Sequence, residues 1–404
     1  MNVAVLSLHT SPLAQPGTGD GGGMNVYVRE LATALARAGV TCDVFTRADR
    51  AGLAPVVNVE PGFKVHHVEA GPLAAVAKED LPGLTDIFAD AVNTSIETNR
   101  LKPQLLHANY WLSAVAGHRL KHQLDIPLVV TFHTLARVKA EGNDFEPEAR
   151  ALAEVATIGC TDMVLANTAV EAEQLVRLYG ADPLRIEEVP LGVDHAFFSP
   201  GPRSGARAAL GLGAGPVMLF VGRIQPLKGT ELALRSFAAS AHRDATLVVV
   251  GGPSGLDGQA EVDRIHELAR TLGVADRVRF CAPQPHHILS TYYRAADVCL
   301  VPSRSESFGL VALEAAACGT PVIAANVGGL TTLVDDGQTG FLIDDRDPQC
   351  WAAAIDCILG DTQWAAEMSA ASAARSRRYA WSYTAARLRR LYTDLTVRQL
   401  VDCQ

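Results

Sequence analysis

Residues 298–318 read VCLVPSRSESFGLVALEAAAC, and this stretch decides the fold class. The four apolar residues Val298 to Val301 end at a proline, which predicts a short buried strand. The apolar run from Phe308 to Cys318 predicts the helix that follows it. A buried strand, a polar loop and a helix form the repeating unit of α/β proteins with a parallel sheet.

The same alternation extends over the chain in two series. Strands are predicted at Asn2 to Leu8, Thr41 to Thr46, Leu105 to Ala108, Leu128 to Phe132 and Met163 to Ala166, and then at Met218 to Val221, Thr246 to Val250, Val278 to Cys281, Val298 to Val301 and Val322 to Ala324. Pro190 to Arg207, rich in Pro, Gly and Ser, predicts a hinge. We therefore expect two doubly wound, Rossmann-like α/β domains that face a cleft and bind ligands at the carboxyl ends of their strands.

The predicted domains are residues 1–195 and residues 196–378. Residues 379–404 carry apolar side chains at helical spacing. They predict one or two helices that pack across the hinge, with capping of the second domain as the alternative.

Composition excludes several functional classes. The 404 residues are 48% hydrophobic and 20% charged, with a formal net charge of −9. A negative charge argues against binding to nucleic acid or to an anionic membrane. The first strand lacks a basic leader, and no apolar stretch is long enough for a transmembrane helix, so we expect a cytoplasmic protein. The eight cysteines form no CxxC pair, which predicts reduced core thiols.

Charged residues around the quoted stretch predict a diphosphate site. Glu306 precedes the predicted helix, whose first N–H groups, at Ser307 to Leu310, can hold a phosphate oxygen. Arg223 and Lys228 follow another strand and could neutralise the same group. At about 1.5 Å per residue, Glu306 and Glu314 would lie roughly 12 Å apart along the helix. That separation exceeds the roughly 5–9.5 Å of paired glycosidase carboxylates and suits a long ligand held at both ends.

A glycine-rich loop follows the first strand. Residues 17–22 match GxGxxG by letter, but the strand ends near Leu8, too early for a dinucleotide-binding turn. We interpret the loop as one that brings the N–H groups of Gly22 and Gly23 against a phosphate or sugar. A surface loop without a ligand is the alternative.

Polar residues in the first domain predict a small, polyhydroxylated and anionic acceptor. They fall mostly at strand ends or in the loops that follow: His9, Lys78, Tyr110, His133, Thr134, Lys139 and Arg150. Roles at a solvated surface are an equal alternative for Lys78 and Lys139. The sequence has no GxSxG elbow, no HExxH and no recognisable His/Cys ligand cluster, so neither a serine nucleophile nor a catalytic metal is indicated.

With these residues assembled, the chain resembles the retaining glycosyltransferases of the GT-B fold, specifically glycosyltransferase family 4. The likeness rests on two glutamates separated by seven residues and on four further short motifs: Gly222-Arg223, Lys228-Gly229, Gly328-Gly329-Leu330 and Gly340-Phe341-Leu342. It implies an enzyme that transfers a hexosyl group with retention. A donor phosphate oxygen would help to deprotonate the acceptor hydroxyl, so no cofactor is required for the chemistry.

A narrower resemblance is to the branch of this family that glycosylates inositol phosphate in mycothiol synthesis. It rests on residues 8–17, 22–28, 110–113 and 221–228. It implies UDP-N-acetylglucosamine as donor and 1D-myo-inositol 3-phosphate as acceptor. The implied acceptor-binding residues are His9, Asp20, Gly21, Gly22, Gly23, Met24, Asn25, Lys78, Tyr110, Thr134 and Arg150. The implied donor-binding residues are Gln15, Pro16, Gly23, Arg223, Lys228, Gln284, Glu306, Ser307, Phe308, Gly309, Leu310 and Glu314.

The resemblance also assigns catalytic roles and a metal. The catalytic set would be His133, Arg223, Lys228 and Glu306. A structural Mg²⁺ would lie near Tyr293, Arg294, Ala296 and Thr320, and a homodimer is left open.

Alternatives remain at the level of sequence. The segment from Lys139 to Glu146 is shorter and more acidic than the branch leads us to expect, and Gln284 stands where a basic residue is expected. A paralogue with another nucleotide sugar or acceptor is therefore an alternative. A non-catalytic nucleotide-sugar sensor, a non-hydrolysing epimerase and a glycan phosphorylase are others. The phosphorylase would need a much longer chain, and the sensor would be expected to have lost part of the charge set.

Overall fold

Short β-branched and apolar runs form the strands of the computed structural model, and amphipathic segments form its helices. The structure describes residues 1–17, 19, 21–142, 144, 146–255 and 258–403. Contacts divide the chain into two compact units: unit 1 comprises residues 1–14, 24–190 and 381–404, and unit 2 comprises residues 15–23 and 191–380.

Unit 1 contains a sheet of eight strands. The strands are β1 (Asn2–Leu6), β2 (Thr41–Arg47), β3 (Val56–Glu60), β4 (Phe63–Val68), β5 (Leu105–Asn109), β6 (Leu128–Thr131), β7 (Met163–Ala166) and β8 (Ile186–Glu188). Their order is β3-β4-β2-β1-β5-β6-β7-β8, and only the edge strand β3 is antiparallel to its neighbour. The order reverses between β1 and β5, as in doubly wound folds.

The helices of unit 1 follow its strands. They are α1 (Gly23–Arg37), α2 (Thr85–Thr98), α3 (Trp111–Leu124), α4 (Ala136–Glu141), α5 (Glu148–Cys160) and α6 (Ala169–Tyr179). The core lies between sheet and helices and includes Leu6, Phe88, Leu106, Leu120 and Val130.

Unit 2 contains a fully parallel sheet of six strands. The strands are β9 (Val217–Val221), β10 (Thr246–Val250), β11 (Val278–Cys281), β12 (Val298–Val301), β13 (Val322–Ala325) and β14 (Gly340–Ile343). The order β11-β10-β9-β12-β13-β14 is the Rossmann order 3-2-1-4-5-6. The predicted fold class, two Rossmann-like α/β units, is therefore confirmed.

Helices also cover the sheet of unit 2. They are α7 (Arg203–Leu210), α8 (Thr230–Ala239), α9 (Gly258–Thr271), α10 (Leu289–Ala295), α11 (Leu310–Ala317), α12 (Leu330–Leu333), α13 (Pro348–Gly360) and α14 (Thr362–Ser376). None of the helices in the described part of the chain is long and apolar enough to cross a membrane.

The last helix, α15 (Trp381–Leu395), packs on unit 1 although the chain before it belongs to unit 2. Trp381 lies edge-on to Tyr27, with ring centroids 5.9 Å apart. The hydroxyl of Tyr392 hydrogen-bonds Nδ1 of His107 at 2.8 Å, and Thr384 donates to the carbonyl of Pro190. A buried face of α15 therefore completes the core of unit 1.

The expectation of eight reduced core thiols is wrong. Cys160 and Cys403 form a disulfide, although 243 residues separate them. Cys350 and Cys357 lie exposed on α13. Spacing could not reveal the pair because tertiary packing alone brings its two segments together.

Candidate active site

Two polar groups of unit 2 lie where its strand order reverses. Arg223 follows β9, and Glu306 follows β12, the strand that pairs with β9. Ligands of doubly wound sheets bind outside the carboxyl ends of the strands at such a reversal. The predicted diphosphate residues are thus at the position in unit 2 where the fold favours a ligand.

Lys228 and Glu306 form an ion pair. The Nζ atom of Lys228 lies 2.6 Å from Oε2 of Glu306, and the hydroxyl of Ser303 donates to the same oxygen at 3.3 Å. The two side chains are 25% and 19% exposed, so a ligand can still reach both charges. Arg223 donates from Nη1 to the hydroxyl of Ser254 at 3.2 Å.

Helix α11 begins later than its sequence predicts. It starts at Leu310 instead of Phe308, and Gly309 is its N-cap, with a φ of 106°. A side chain at Gly309 would lie 2.7 Å from Cδ2 of Leu330, so only glycine fits there. Glu306 therefore precedes the helix by four residues, and the helical rise per residue does not apply over the whole segment from Glu306 to Glu314.

Glu314 is buried, and each of its carboxylate oxygens has a hydrogen-bond partner. It is 4% exposed, and its Oε1 lies 2.6 Å from Nε2 of His286. The hydroxyl of Tyr293 donates to Oε2 at 2.9 Å. Burial, followed by the charge of Glu314, raises the pKa of Tyr293 well above its usual value, so this phenol stays protonated and can donate. The sequence indicated that Glu314 needs a partner but not that His286 and Tyr293 supply it.

The residues predicted for a structural Mg²⁺ are only partly in contact. The hydroxyl of Thr320 donates to the carbonyl of Tyr293 at 2.6 Å, and the N–H of Ala296 also donates to that carbonyl. The guanidinium of Arg294 bonds the carbonyl of Ser199. The set includes no carboxylate, whereas Mg²⁺ sites usually contain one or two. These residues do not make a convincing Mg²⁺ site, so no step of the mechanism is assigned to a metal.

The glycine loop contacts the same part of unit 2. A side chain at Gly22 would lie 3.8 Å from Nε of Arg223, and one at Gly23 would lie 3.5 Å from Cδ1 of Leu310. The N–H of Gly17 donates to the carbonyl of Gly21 at 2.9 Å, which closes the loop on itself. The loop therefore lies beside Arg223 and the start of α11. This position agrees with its interpretation as a loop that contacts a ligand.

Gln15, a predicted donor-binding residue, contacts the residue that precedes Gln284, another one. The amide of Gln15 donates to the carbonyl of Pro283 at 3.0 Å, directly before Gln284. The Gln284 amide bonds the carbonyl of Ala282 in its own loop. Asp20, a predicted acceptor-binding residue, is outside the described residues.

In unit 1, four predicted acceptor residues are linked through Glu146 and Arg150. Arg150 is buried, and its Nη1 lies 3.0 Å from Oε1 of Glu146 and 3.2 Å from the hydroxyl of Tyr110. Its Nη2 donates to the hydroxyl of Thr134 at 3.0 Å. Lys78 lies 3.6 Å from the same carboxylate oxygen. The sequence could only assume that these four side chains lie close together, and within unit 1 they do.

Glu146 holds a third cation, Lys139, in a short hydrogen bond. Burial raises the pKa of Glu146, but the hydrogen bond from Lys139 and the charges of Arg150 and Lys78 outweigh burial and lower the pKa below its usual value. Glu146 therefore stays ionised. Arg150 is also fixed by Glu154, whose Oε1 accepts from Nε at 2.8 Å. Neither glutamate was predicted, although each lies four residues from Arg150, the spacing at which oppositely charged side chains of a helix pair.

His9 and Asn25 lie at the start of unit 1. The ring of His9 lies 5.1 Å from the ring of Tyr110, over which the guanidinium of Arg150 also stacks. Asn25 is buried and donates to the hydroxyl of Thr10 and to the carbonyl of Ser11. Met24, the other predicted residue here, packs against the core of unit 1.

Tyr110 and His133 share an unusual backbone conformation. Their φ values are 74° and 62°, in the left-handed region that side chains seldom adopt. Such strain concentrates at functional sites. Nε2 of His133 hydrogen-bonds Oδ1 of Asn109 at 3.0 Å. Burial, and then the nearby His107, lower the pKa of His133 well below its ordinary value, so the ring is neutral near pH 7 although part of it is exposed.

Comparison with known proteins agrees with this arrangement. Residues 22–192 match the "Glycosyl transferase 4-like domain" and residues 206–377 match "Glycosyl transferases group 1". The chain is 46% identical to D-inositol 3-phosphate glycosyltransferase 2 of Catenulispora acidiphila over 97% of its length and 94% of the relative's. It is 47% identical to D-inositol 3-phosphate glycosyltransferase of Rhodococcus opacus over 98% of its length and 91% of the relative's.

Solved structures show the same fold. Sucrose-phosphate synthase from Thermosynechococcus elongatus superposes with a TM-score of 0.91 at 34% identity, covering 98% of both chains. HepE of Anabaena, solved with UDP and glucose, gives a TM-score of 0.81 at 22% identity, covering 98% of this chain and all of HepE. The two family matches and the near full-length relatives lead to one conclusion: this chain belongs to the group 1 and 4-like family of glycosyltransferases and is an enzyme of the GT-B fold.

Proposed function

We propose that the enzyme transfers N-acetylglucosamine from UDP-N-acetylglucosamine to 1D-myo-inositol 3-phosphate, with retention of the anomeric configuration, in mycothiol biosynthesis. The observation that carries this proposal is the likeness to relatives named D-inositol 3-phosphate glycosyltransferase, at 45–47% identity over nearly the whole chain. The family to which this chain belongs transfers sugars. The acceptor that we propose is the one in the names of the relatives.

On the donor side, Arg223, Lys228 and the start of α11 would stabilise the charge that develops on the leaving UDP. Preorganised groups of this kind contribute about 3–4 kcal/mol each in other enzymes. Lys228 already lies against Glu306. When the diphosphate binds, Lys228 would share its charge between phosphate and carboxylate, and Glu306 would face the transferred sugar. Glu314 would accept from the ribose hydroxyls.

On the acceptor side, the cations around Glu146 would bind the phosphate of inositol phosphate. Arg150, Lys139 and Lys78 all contact Glu146 in this structure. A dianionic phosphate would compete with one carboxylate for the three cations and is favoured by its larger charge. Tyr110 and Thr134 would bind hydroxyls or phosphate oxygens beside Arg150.

The proposed chemistry needs no enzymic nucleophile. A phosphate oxygen of the donor would take the proton of the attacking hydroxyl on the face from which UDP departs. His133 would contact the transferred sugar through its neutral ring or its backbone carbonyl. A neutral ring neither repels the developing positive charge of the sugar nor needs to lose a proton first.

One experiment tests the transfer and its alternatives. The purified enzyme is incubated with UDP-N-acetylglucosamine and inositol 3-phosphate, and separately with UDP-glucose and with other sugar phosphates. Mass spectrometry identifies the product, and the proton coupling of its anomeric centre reports retention. Product from another acceptor alone would favour the paralogue. Altered nucleotide sugar without acceptor would indicate an epimerase, and ligand binding without any product would indicate a sensor.

Three further features are part of the proposal. We expect activity after treatment with EDTA, because no step of the proposed transfer uses a metal. We expect the enzyme in the cytoplasm, because both proposed substrates are charged and do not cross membranes unaided; cell fractionation tests this. Light scattering tests whether the enzyme forms a homodimer, which the sequence leaves open.

A further inference from the structure

Two histidines and two cysteines of unit 1 converge outside the groups described above. They are His118 and His122 on α3, Cys160 at the end of α5, and Cys403 in the segment after α15. The Nδ1 or Nε2 atoms of the histidines and the Sγ atoms of the cysteines all lie within 4.8 Å of one another. Two thiolates and two imidazoles make the donor set of tetrahedral structural zinc sites.

A buried ion pair holds these segments in place. Lys121 is 1% exposed, and its Nζ donates to the carbonyls of Cys160 and Val401 at 2.7 and 3.0 Å. It also contacts Asp162, whose Oδ1 accepts from the N–H of Val401 at 2.7 Å. These bonds bring Cys403 to Cys160, with their Cα atoms 5.1 Å apart. The ligand cluster is therefore preorganised by protein contacts.

The helix end favours a cation at this position. His118 and His122 are one turn apart on α3, and their ring centroids lie 5.1 Å from each other. Because α3 ends at Leu124, His122 lies in its last turn, near the negative end of the helix dipole.

The two cysteines are joined in this structure, but a disulfide does not account for the two imidazoles beside them. We propose that in the reduced chain His118, His122, Cys160 and Cys403 bind one zinc ion. Both thiols lose their protons as the ion binds, and no electron is transferred. With four protein ligands the site is closed and structural, tying α3, α5 and the segment after α15 together.

Cobalt binding tests the site on the full-length enzyme. The protein is reduced with a phosphine, freed of metal with EDTA and titrated with Co²⁺, a spectroscopic substitute for Zn²⁺. We expect one equivalent to bind, with the intense visible bands of a tetrahedral site and a thiolate-to-cobalt charge-transfer band. One equivalent of Zn²⁺ should displace the cobalt and raise the melting temperature of the reduced protein.

Variants decide which side chains bind. Cys403→Ser should lose stoichiometric binding and the charge-transfer band, and His122→Ala should change the visible bands and weaken binding. Cys350→Ser, at an exposed thiol of unit 2, is the matched control and should bind like the unchanged enzyme. The far-ultraviolet circular dichroism of each variant checks that it is folded.

Three results would overturn the proposal. Reduced enzyme that binds no metal at one equivalent would leave only a disulfide pair. If folded Cys403→Ser bound cobalt as tightly as the unchanged enzyme, Cys403 would not be a ligand. An unchanged cobalt spectrum in His122→Ala would exclude the histidine. None of these measurements depends on sugar transfer, so they are independent of the proposed reaction.

Discussion

The ammonium of Lys228 and the carboxylate of Glu306 lie 2.6 Å apart at the carboxyl ends of two neighbouring strands, β9 and β12. The side chain of Lys228 remains 25% exposed in this pair. In this structure the charge of each partner is neutralised by the charge of the other.

Replacing Lys228 tests its role with the diphosphate. Lys228→Ala should lower kcat by about 100- to 1000-fold and change the KM for the acceptor far less, because the lost charge stabilises the leaving group. Steady-state kinetics measure both constants. Lys102→Ala, which removes an exposed lysine of unit 1, is the control. Kinetics of Lys228→Ala equal to those of the control would exclude contact with the diphosphate.

Replacing Glu314 tests the proposed ribose contact. Glu314→Gln keeps the shape of the side chain and should weaken binding of UDP by about 10- to 100-fold, because a bond to a charged acceptor contributes roughly 1.5–3 kcal/mol. Calorimetric titration with UDP measures the Kd. Glu367→Gln, on the exposed face of α14, controls for loss of one charge. An unchanged Kd for UDP would remove Glu314 from the donor site.

Glu146 should compete with the acceptor phosphate. Glu146→Gln removes a charge that Arg150, Lys139 and Lys78 now share, so we expect a lower KM for inositol 3-phosphate and little change in the KM for the donor. Arg150→Met should raise the KM for the acceptor. If Glu146→Gln raised that KM instead, Glu146 would be positioning the cations and not competing for them.

Acid should destabilise unit 1 through His107. This ring is fully buried, and burial lowers its pKa to about 3, whereas in the unfolded chain it has a pKa of about 6.5. The unfolded state therefore binds a proton as the pH falls below about 6.5, while the folded state does not. The contribution of His107 is fully present above pH 6.5 and falls by about 2 kcal/mol by pH 5.

Thermal unfolding at pH 7 and pH 5 measures this dependence. His107→Gln should be less stable at pH 7 but should lose less stability between the two pH values than the unchanged enzyme. His67→Gln, at a residue bonded only to a loop carbonyl among the contacts described, controls for removal of one histidine. A parallel loss of stability in the unchanged enzyme and in His107→Gln would exclude His107 as the cause.

The sequence predicts the central strands well and the edges poorly. All ten predicted strands are present, and all of them except the edge strand β11 are short runs whose residues are mostly buried. The missed strands β3, β8 and β14 are outermost in their sheets, and β3 pairs with β4, the fourth missed strand. Residues such as Asn58 in β3 and Lys64 in β4 face solvent and interrupt the apolar pattern. Edge strands can include such residues because one side lacks a neighbour.

The sequence predicts those parts of the site that follow from neighbouring residues along the chain. A carboxylate in an apolar helix requires donors, and Glu314 has them. The identities of those donors, and the bonds from Arg150 to Tyr110 and Thr134, depend on packing between distant segments and have no local pattern. The start of α11 was misjudged because the left-handed conformation of Gly309 ends the loop just before Leu310.

The return of α15 to unit 1 has a consequence for biosynthesis. Residues 1–190 emerge from the ribosome long before residues 381–403, yet Tyr27 and His107 each contact an aromatic side chain of α15. The first half of the nascent chain must therefore wait, with an apolar surface uncovered, until translation has passed through all of unit 2. Chaperone demand should consequently peak during that interval and not at its start.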